Sequence, residues 1–532
     1  MNNILKKINK SRTLGVAAFL ISLSYLLSRV LGLLRDRMLA ANFGVSASTD
    51  AYTAAFRIPD LLFTLLVSGA FAVAFIPVFI GHIEKKQQQE AWHMTNALTT
   101  LLLLATTIFG LLAFIFANPL VSLLTPGFNA QQHALTVTLA RIMLVTPTLF
   151  ALASVFGGIQ QSFNRFALFA FASVFYNVGI IIGILLAPKL FPAHPIYGVA
   201  WGVVGGTVMQ AVIQFLGTLG LGWRFSFSLD FLNKDVIQVV KLMVPRSLDL
   251  GIDQVNWIIQ TAIASRLTTG SLAAYYYANN LKNVPVALFG SAIATAAFPS
   301  LIRAVKSKDK SHLPAILVRD IGYILFLTIP SAAIAVVMRG YIVRLLFGFG
   351  DQATADTLGW LAGVIIAQSL YFMVARVFYA FENTITPLLT SLSSIVINII
   401  LSFVLSAKFG ISGMAIALSI STLYELVLLV VILQVRYKHI GLKSILIKFA
   451  KISLASAAMT SVLYYLVSQI LPLYKNDVGF TNIAPKFMIL SVVGIGVYLG
   501  VAKVLRLKEV DKVIKKALHP LRRVRRLYGS NS

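Results

Sequence analysis

Two arginines inside the first long apolar segment of the chain are the first indication of chemistry. Arg29 and Arg35 occur in the run SRVLGLLRD at residues 28–36. A charge at the centre of a bilayer costs at least about 2.5–3.5 kcal/mol on insertion scales, so such groups usually face a wet cavity or an anionic partner. The guanidinium stays protonated, and its planar fork matches phosphate oxygens two at a time. We therefore predict an anionic cargo at Arg29 and Arg35, with Asp36 either in the same site or neutralising Arg35.

Polar residues also recur every three or four positions in two later segments, and this spacing places each set on one helix face. The sets are Asp50, Thr53, Arg57, Asp60, Thr64 and Ser68, and Arg246, Asp249, Asp253, Asn256 and Gln260. Lipid does not tolerate such a face, so each should look into the protein or a wet cavity. The first set predicts cargo contacts from Asp50 and Arg57, and the second predicts an ion-coupling site from its last four members. Ion pairs that compensate each other within each helix are the alternative.

A cluster of phenols and amides follows in a later segment. It comprises Tyr275, Tyr276, Tyr277, Asn279, Asn280, Lys282 and Asn283. Such groups hydrogen-bond a sugar or a peptide, but they also hold helices together or form an aromatic belt at the membrane surface. We assign Asn279, Asn280 and Lys282 to cargo binding and leave the structural roles open.

The composition limits the class of protein that carries these residues. Of the 532 residues, 58% are hydrophobic and 12% are charged, which is too few polar side chains to coat a soluble globule. The formal charge of +27 is spread between apolar segments, so nucleic acid is not a predicted partner. The absence of cysteine excludes disulfides, thiolate metal sites and a cysteine nucleophile. The sequence therefore predicts a polytopic membrane protein.

Sequence motifs of catalysis are also absent. The chain has no P-loop GxxxxGK[ST], no HExxH, no GxSxG and no soluble segment large enough for an ATPase. We therefore predict a transporter that is not an enzyme and has no bound cofactor. The energy for transport would come from the membrane potential or a monovalent cation gradient.

The apolar segments predict an all-α fold. With about 20 apolar residues per span, they indicate about fourteen transmembrane helices, with cores near residues 15–41, 50–80, 92–116, 134–160, 168–188, 196–221, 236–264, 271–302, 314–338, 355–380, 387–407, 411–435, 447–470 and 486–505. Basic residues concentrate in alternate loops, as cytoplasmic loops do, and the even count places both termini in the cytoplasm. Arg339 and Arg344 fit this alternation worst. The basic start leads into an apolar run without a cleavage site, so we read an uncleaved first helix.

An internal repeat divides the chain. At an offset of about 222 residues, STDAY at 48–52 corresponds to GSLAAY at 270–275, and VSLL at 121–124 corresponds to VRLL at 343–346. Parallel repeats are typical of transporters with a site between two halves, and chance similarity between apolar helices is the alternative. The predicted organisation is two parallel six-helix lobes at 1–225 and 226–440, two additional helices at 441–505, and a basic cytoplasmic tail at 506–532 on anionic headgroups.

The motifs of the first two helices resemble those of the MurJ (MviN) family of lipid II flippases, in the MOP exporter superfamily. The resemblance rests on SRVLGLLRD at 28–36, FG at 43–44, TDA at 49–51, PDLL at 59–62 and GAFAVAFIP at 69–77, and continues with TPGF at 125–128, NRF at 164–166, YYA at 276–278, FPSL at 298–301 and TP at 386–387. It implies two lobes in a V, a lipid-facing groove from the two C-terminal helices, and alternating access. It also implies a bacterial cytoplasmic membrane, an undecaprenyl-pyrophosphate-linked cargo in contact with membrane lipids, and partners among the proteins of cell wall synthesis.

Two positions depart from the family pattern. The family commonly has an arginine after the PxLL segment of the second helix, where this chain has Phe63, and ADR in the eighth, where this chain has ANN at 278–280. Half of the usual cationic cluster is therefore missing. Compensation by Arg57 and Lys282, a different head-group geometry, or a related cargo would each account for this.

Three other functions fit parts of the sequence. A polysaccharide-lipid flippase or a multidrug antiporter would share the superfamily fold, but an antiporter of organic cations should have an acidic, aromatic cavity and not paired arginines. A membrane glycosyltransferase needs a catalytic carboxylate at a membrane face, for which Asp36 or Asp60 is available. A nonenzymatic scaffold predicts that the intramembrane charges are dispensable.

The loop charges generate a topology prediction that single cysteines can test, because the natural chain has none. A membrane-impermeant thiol reagent should label a cysteine at Ala130 in intact cells. It should label cysteines at Gln88 and Lys308 only after the membrane is permeabilised. Labelling with the opposite sidedness would reverse the predicted orientation.

Overall fold

The structure, a computed structural model, describes residues 14–307, 312–348, 350–437, 440–474, 477 and 479–511, with the backbone alone at 14–19, 68–70 and 249. The α-helices are α1 Leu14–Phe43, α2 Ala47–Ala55, α3 Arg57–Leu66, α4 Ser68–Glu84, α5 Gln88–Ile115, α6 Ala117–Leu124, α7 Ala130–Met143, α8 Thr146–Ser162, α9 Phe166–Leu190, α10 Ile196–Thr218, α11 Lys234–Ser265, α12 Ser271–Pro285, α13 Ala292–Lys306, α14 His312–Val337, α15 Arg339–Phe347, α16 Gln352–Trp360, α17 Ala362–Ala380, α18 Ile385–Tyr437, α19 Leu442–Tyr465 and α20 Phe480–Val504. Two π-helical turns, Val286–Ser291 and Leu466–Ile470, continue α12 and α19. The predicted all-α fold is confirmed for this part of the chain.

Eleven helical segments among the described residues are long and apolar enough to cross a membrane. The longest, α18, combines the predicted eleventh and twelfth helices, which meet at a sharp bend at Gly410 (φ 55°, ψ −137°). Helices α1 and α11 coincide with the predicted first and seventh helices. The multi-pass membrane fold is therefore confirmed, whereas the count of fourteen spans stays a prediction.

The chain forms two compact units, Met1–Ala273 and Ala274–Ser532. Helix α11 packs against α3 and α4 and so belongs to the first unit. The lobe boundaries at residues 225 and 440 stay predictions. Of the predicted tail, residues 512–532 lie outside the described residues.

The order of helices recurs between the two units. A long helix, a short helix and two further helices follow one another as α5 to α8 in the first unit and as α14 to α17 in the second. The short helices begin at Ala117 and Arg339, and the helices after them begin at Ala130 and Gln352, so each pair is 222 residues apart. The helices thus start in the register that the sequence repeat predicts.

In the first unit, α9 and α10 approach so closely that their backbones touch. A Cβ atom added to Gly183 would lie 2.4 Å from the Cα atom of Gly202, and one added to Gly179 would lie 2.2 Å from the Cα atom of Gly206. A Cβ atom on Gly206 would lie 2.4 Å from the carbonyl oxygen of Tyr176. Glycines four residues apart are a common means of close packing between membrane helices, and here they leave no room for a side chain.

In the second unit, a partly buried ion pair holds the last described residues. The Lys448 ammonium of α19 donates to Glu509 Oε1 (2.5 Å) and to the carbonyl oxygen of Val318 in α14 (3.1 Å). The Tyr498 hydroxyl of α20 donates to the carbonyl oxygen of Phe326, also in α14 (2.7 Å). The two C-terminal helices therefore attach to α14 through polar bonds as well as apolar packing.

The two arginines that fit the loop alternation worst have structural partners. Arg339 Nε donates to the Asp356 carboxylate (3.1 Å), and Arg344 donates to the carbonyl oxygen of Asp477 (3.2 Å). The Lys486 ammonium donates to an Asp477 carboxylate oxygen (2.8 Å), and this hydrogen bond lowers the pKa of that carboxyl. Because these cations are bound within the protein, they are weak indicators of membrane sidedness.

The backbone contact between α9 and α10 predicts a large difference between two adjacent glycines. Gly206→Ala should lower the free energy of unfolding by about 1–3 kcal/mol, because the added methyl group must displace the main chain of α9. Gly205→Ala is the matched control, since a Cβ atom there meets open space. Denaturant unfolding of both purified variants in the same detergent measures the difference. Equal stability would contradict the contact.

Candidate functional site

Arg35 is held by one side chain of its own helix and one of α9. Its Nε and one terminal nitrogen both donate to Asp36 Oδ1 (3.0 and 2.8 Å), and the other terminal nitrogen donates to Asn177 Oδ1 (3.2 Å). Asp36 is buried, whereas the Arg35 side chain is 19% exposed. The structure therefore brings Arg35 and Asp36 together as an oriented, formally neutral pair.

Asn177 connects this pair to the packing of α1 against α9. Its amide nitrogen donates to Ser28 Oγ (3.2 Å) and to the carbonyl oxygen of Ser173 (3.0 Å), and Ser24 donates to the carbonyl oxygen of Ala170. The bonds at Ser28 and Ser24 fasten α1 to α9 over successive turns. The sequence reasoning missed Asn177, although a single asparagine in the apolar segment 166–190 was a usable signal, because a buried amide needs partners in lipid.

Arg29 has a more open environment, less than two turns earlier on α1. Its Nε and one terminal nitrogen both donate to the Tyr25 hydroxyl (3.2 and 2.9 Å), and its guanidinium lies 5.2 Å from the centroid of the Tyr25 ring. Arg29, Leu26 and Val30 are exposed. Arg29 can therefore meet a ligand directly, while Arg35 is partly enclosed.

The second predicted helix is broken into α2, α3 and α4. Pro59 explains the first break, because it has no N–H and its ring crowds the carbonyl group of Ala55, where α2 ends. The second break lies at Val67, whose φ of −131° and ψ of −68° are not helical. Helix α3 is therefore a separate short segment, and it carries Arg57 and Thr64, both buried.

Asp50 binds backbone amides at the start of α12. Its carboxylate is 2% exposed and accepts hydrogen bonds from the N–H groups of Gly270 (2.6 Å) and Ala273 (2.8 Å). Negative charge at a helix N-terminus is favourable. Gly270 has a φ of 92°, and a Cβ atom there would come within 2.6 Å of Val45 Cγ1, so the approach requires glycine. Asp50 has a capping role in the structure, and its contact with cargo stays a prediction.

The polar faces predicted for the second and seventh helices meet between α3 and α11. The Arg57 guanidinium lies 4.7 Å from the centroid of the Trp257 ring, a cation–π distance, and Gln254 donates to Thr64 Oγ1 (3.2 Å). Trp257 and Gln254 were missed from the sequence. Each is adjacent to a member of the predicted polar set, so the face is wider than a strict three-or-four spacing indicates.

The predicted ion-coupling residues have different environments along α11. Asp253 is exposed, Asn256 is half-buried and Gln260 is buried. The Asp249 side chain lies outside the described residues. In the described part of the chain, no group of three or more His, Cys, Asp or Glu side chains is arranged to hold a metal ion. An ion site on α11 therefore stays a prediction.

In the second unit, Lys282 lies on α12 with its side chain enclosed. It is 3% exposed, and its ammonium donates to Gln368 Oε1 of α17 (3.1 Å), a partner that the sequence did not predict. Asn279 is also buried and Asn280 is half-buried. Lysine is rarely buried without a partner, and Gln368 is the partner here. Cargo binding by Lys282 stays a prediction.

A comparison with known sequences decides the family. A family profile described as "Lipid II flippase MurJ" matches residues 39–481. The chain belongs to the MurJ family. This confirms the family resemblance that the sequence motifs indicate.

Individual relatives agree with this membership. A "Probable lipid II flippase MurJ" of Rhizobium meliloti (strain 1021) is 30% identical over 457 residues, which cover 83% of this chain and 84% of the relative. One of Bdellovibrio bacteriovorus is 28% identical over 522 residues, covering 96% and 97%. A "Lipid II flippase MurJ" of Burkholderia cenocepacia is 30% identical over 421 residues, covering 76% and 80%. The similarity thus extends over most of both chains.

Solved structures show that the MurJ fold is shared more widely. A lipid II flippase MurJ in an inward closed conformation matches with a TM-score of 0.76 and 23% identity, covering 92% of this chain and 98% of that chain. An inward-facing multidrug resistance MATE transporter of the MOP superfamily matches with a TM-score of 0.63 and 13% identity, covering 79% and 95%. At these identities the matches show a shared helical fold.

The two amide contacts of Asp50 predict that both of its oxygens are needed. Asp50→Asn should lower the free energy of unfolding by about 1–3 kcal/mol, because one backbone N–H then faces an NH2 group and loses its acceptor. Asp351→Asn is the matched control, since Asp351 accepts one amide, that of Thr354 (2.6 Å), and asparagine caps a helix equally well. Thermal unfolding in detergent compares the two. An unchanged melting temperature for Asp50→Asn would refute the two-oxygen cap.

Proposed function

We propose that this chain is a flippase that carries lipid II from the cytoplasmic to the outer leaflet by alternating access. The observation that carries the proposal is the pair of guanidinium groups on α1 in a chain of the MurJ family. Arg29 is exposed, and Arg35 is oriented by Asp36 and Asn177. The relatives named as lipid II flippases indicate the class of cargo. The two arginines provide groups that can bind its pyrophosphate.

The Arg35 guanidinium can exchange the Asp36 carboxylate for a phosphate of the cargo. Its Nε and terminal nitrogen share one oxygen of Asp36, at 3.0 and 2.8 Å. A phosphate offers two oxygens to the same fork, so it forms the bidentate pair that the carboxylate does not form here. Asn177 keeps the guanidinium in place during the exchange through its contact with the other terminal nitrogen.

Two cations of this chain replace the arginines that the family usually has at the positions of Phe63 and Asn280. Phe63 stands where an arginine is common, and its ring packs against Phe150 with centroids 5.0 Å apart. Arg57 lies on the same short helix, α3, and takes the role of that cation. Lys282, on the same helix as Asn280, takes the role of the second.

Flipping makes and breaks no covalent bond, so the chain needs no catalytic group and no cofactor. The cargo is anionic, and the membrane potential or a monovalent cation gradient supplies the energy, with Asp253, Asn256 and Gln260 of α11 as the coupling groups. We place the protein in the bacterial cytoplasmic membrane with both termini in the cytoplasm. Its partners are the lipid-linked precursor, membrane lipids and proteins of cell wall synthesis.

Neutralising the α1 cations should abolish flipping without loss of the protein. Arg29→Ala and Arg35→Ala should reach wild-type membrane abundance yet expose little lipid II on the outer leaflet of cells depleted of their own flippase. Arg29→Lys and Arg35→Lys should restore exposure in part, because an ammonium keeps the charge but lacks the planar fork. The measurement is surface lipid II at equal protein abundance.

Arg303→Ala is the control for loss of a positive charge, since Arg303 is an exposed residue in the last turn of α13 and contacts Ser300 (3.3 Å). It should flip at the wild-type rate. Asn280→Arg, which restores a family cation, should be tolerated. Wild-type exposure with both α1 arginines neutralised would disprove the mechanism, and failure of the unmutated chain to expose lipid II would point to another cargo.

A further inference from the structure

The linker between α10 and α11 has neither helix nor strand over residues 222–230, and its side chains alternate in chemistry. Residues 223–230 read WRFSFSLD, so polar and apolar side chains take turns. Phe225, Phe227 and Leu229 are 49%, 64% and 61% exposed. These three form an exposed apolar edge along a strap, which we define as residues 223–232.

The Trp223 indole and two backbone groups of the strap bind α5. Asn96 accepts a hydrogen bond from Trp223 Nε1 (3.0 Å) and donates to the carbonyl oxygen of Arg224 (3.1 Å), and Thr100 Oγ1 accepts one from the Ser228 amide (3.2 Å). Asn96 and Thr100 are 7% and 1% exposed. The strap therefore helps to cover polar groups of α5 that lipid would not tolerate.

Two histidines hold the end of the strap and the start of α11. His93 Nε2 lies 2.9 Å from Asp230 Oδ2, and His82 Nε2 lies 3.0 Å from Asp235 Oδ2. The hydrogen bond from His93 lowers the pKa of the Asp230 carboxyl. The strap is thus attached at several points, and its apolar edge is presented outward by a fixed backbone.

The sequence of α5 indicates at which depth of the membrane the strap lies. Residues 88–100 contain glutamine, glutamate, histidine, asparagine and threonine side chains, whereas residues 101–115 are apolar except for two threonines. The strap contacts α5 at Asn96 and Thr100, at the end of the polar part. In a membrane-spanning helix, this change marks the boundary between headgroups and acyl chains.

We propose that the strap is a lipid-binding element of the membrane surface. Phe225, Phe227 and Leu229 insert between acyl chains, and the basic residues around the strap bind anionic headgroups. Those bases are exposed: Lys85, Lys86, Arg224 and Lys234. An amphipathic element of this kind reaches about 5–10 Å into the boundary of headgroups and acyl chains, and each base near an anionic surface adds to the attraction. The strap thereby fixes the height at which α11 enters the bilayer.

Spin labels can test this inference directly, because the natural chain has no cysteine. Single cysteines at positions 86, 225, 226, 227 and 229 each carry a nitroxide in the full chain reconstituted with phosphatidylethanolamine and phosphatidylglycerol. Labels at 225, 227 and 229 should collide with oxygen more than with a water-soluble nickel chelate, at a depth of about 5–10 Å. Labels at Ser226 and at Lys86 should show the opposite preference.

A pair of variants in α5 tests whether the strap's attachment, and not the label alone, restrains the strap. Thr100→Val removes the acceptor of the Ser228 amide and should raise the mobility of the label at 227. Thr107→Val, the same change at an exposed position on the same helix, should not. Collision of the 227 label with the nickel chelate as frequent as at Lys86 would place the strap in water. Exclusion of both reagents from the label at 227 would show that a protein surface covers the strap. An equal depth of the label in phosphatidylcholine alone would refute the binding of anionic lipid. Each of these results overturns the proposal.

Discussion

A hydrocarbon bilayer offers no hydrogen bonds, and this constraint decides where the polar groups of the chain lie. Arg35 is satisfied by Asp36 and Asn177, Arg57 lies on the Trp257 ring, and Lys282 donates to Gln368. Even the carboxylate of Asp50 is used twice by backbone amides. The same groups that make the site possible therefore also hold the helices that carry it.

Much of the fold follows from this constraint and could be read from the sequence. The bounds of α1, α5, α9, α11 and α14 fall close to the predicted helices, because a helix satisfies its own backbone hydrogen bonds in lipid even where it carries a few charged residues. The repeat offset of 222 residues reappears in the first residues of α6 and α15. The breaks at Phe56 and Val67 were harder to predict, since Pro59 marks the first and no residue type marks the second.

The site was predicted less completely, for a physical reason. Spacing along one helix shows which residues share a face, but a partner on another helix depends on packing that no local pattern contains. Asn177, Trp257 and Gln368 are such partners, and each was missed. Asp50 shows a related limit, because its polar face could be read from the spacing, whereas the two backbone N–H groups that donate to its carboxylate, those of Gly270 and Ala273, lie far along the chain.

The glycine contact of α9 with α10 has a mechanical consequence. Where Gly183 meets Gly202, the distance between the helices is set by main-chain atoms, which have no rotamers to exchange. Elsewhere in the unit, side chains can change rotamer and allow helices to slide past one another. The contact between Gly183 and Gly202 has no side chains that could do so. Helices α9 and α10 must therefore move as one rigid body. Because Asn177 of α9 binds Ser28 and Arg35 of α1, α1 moves with them.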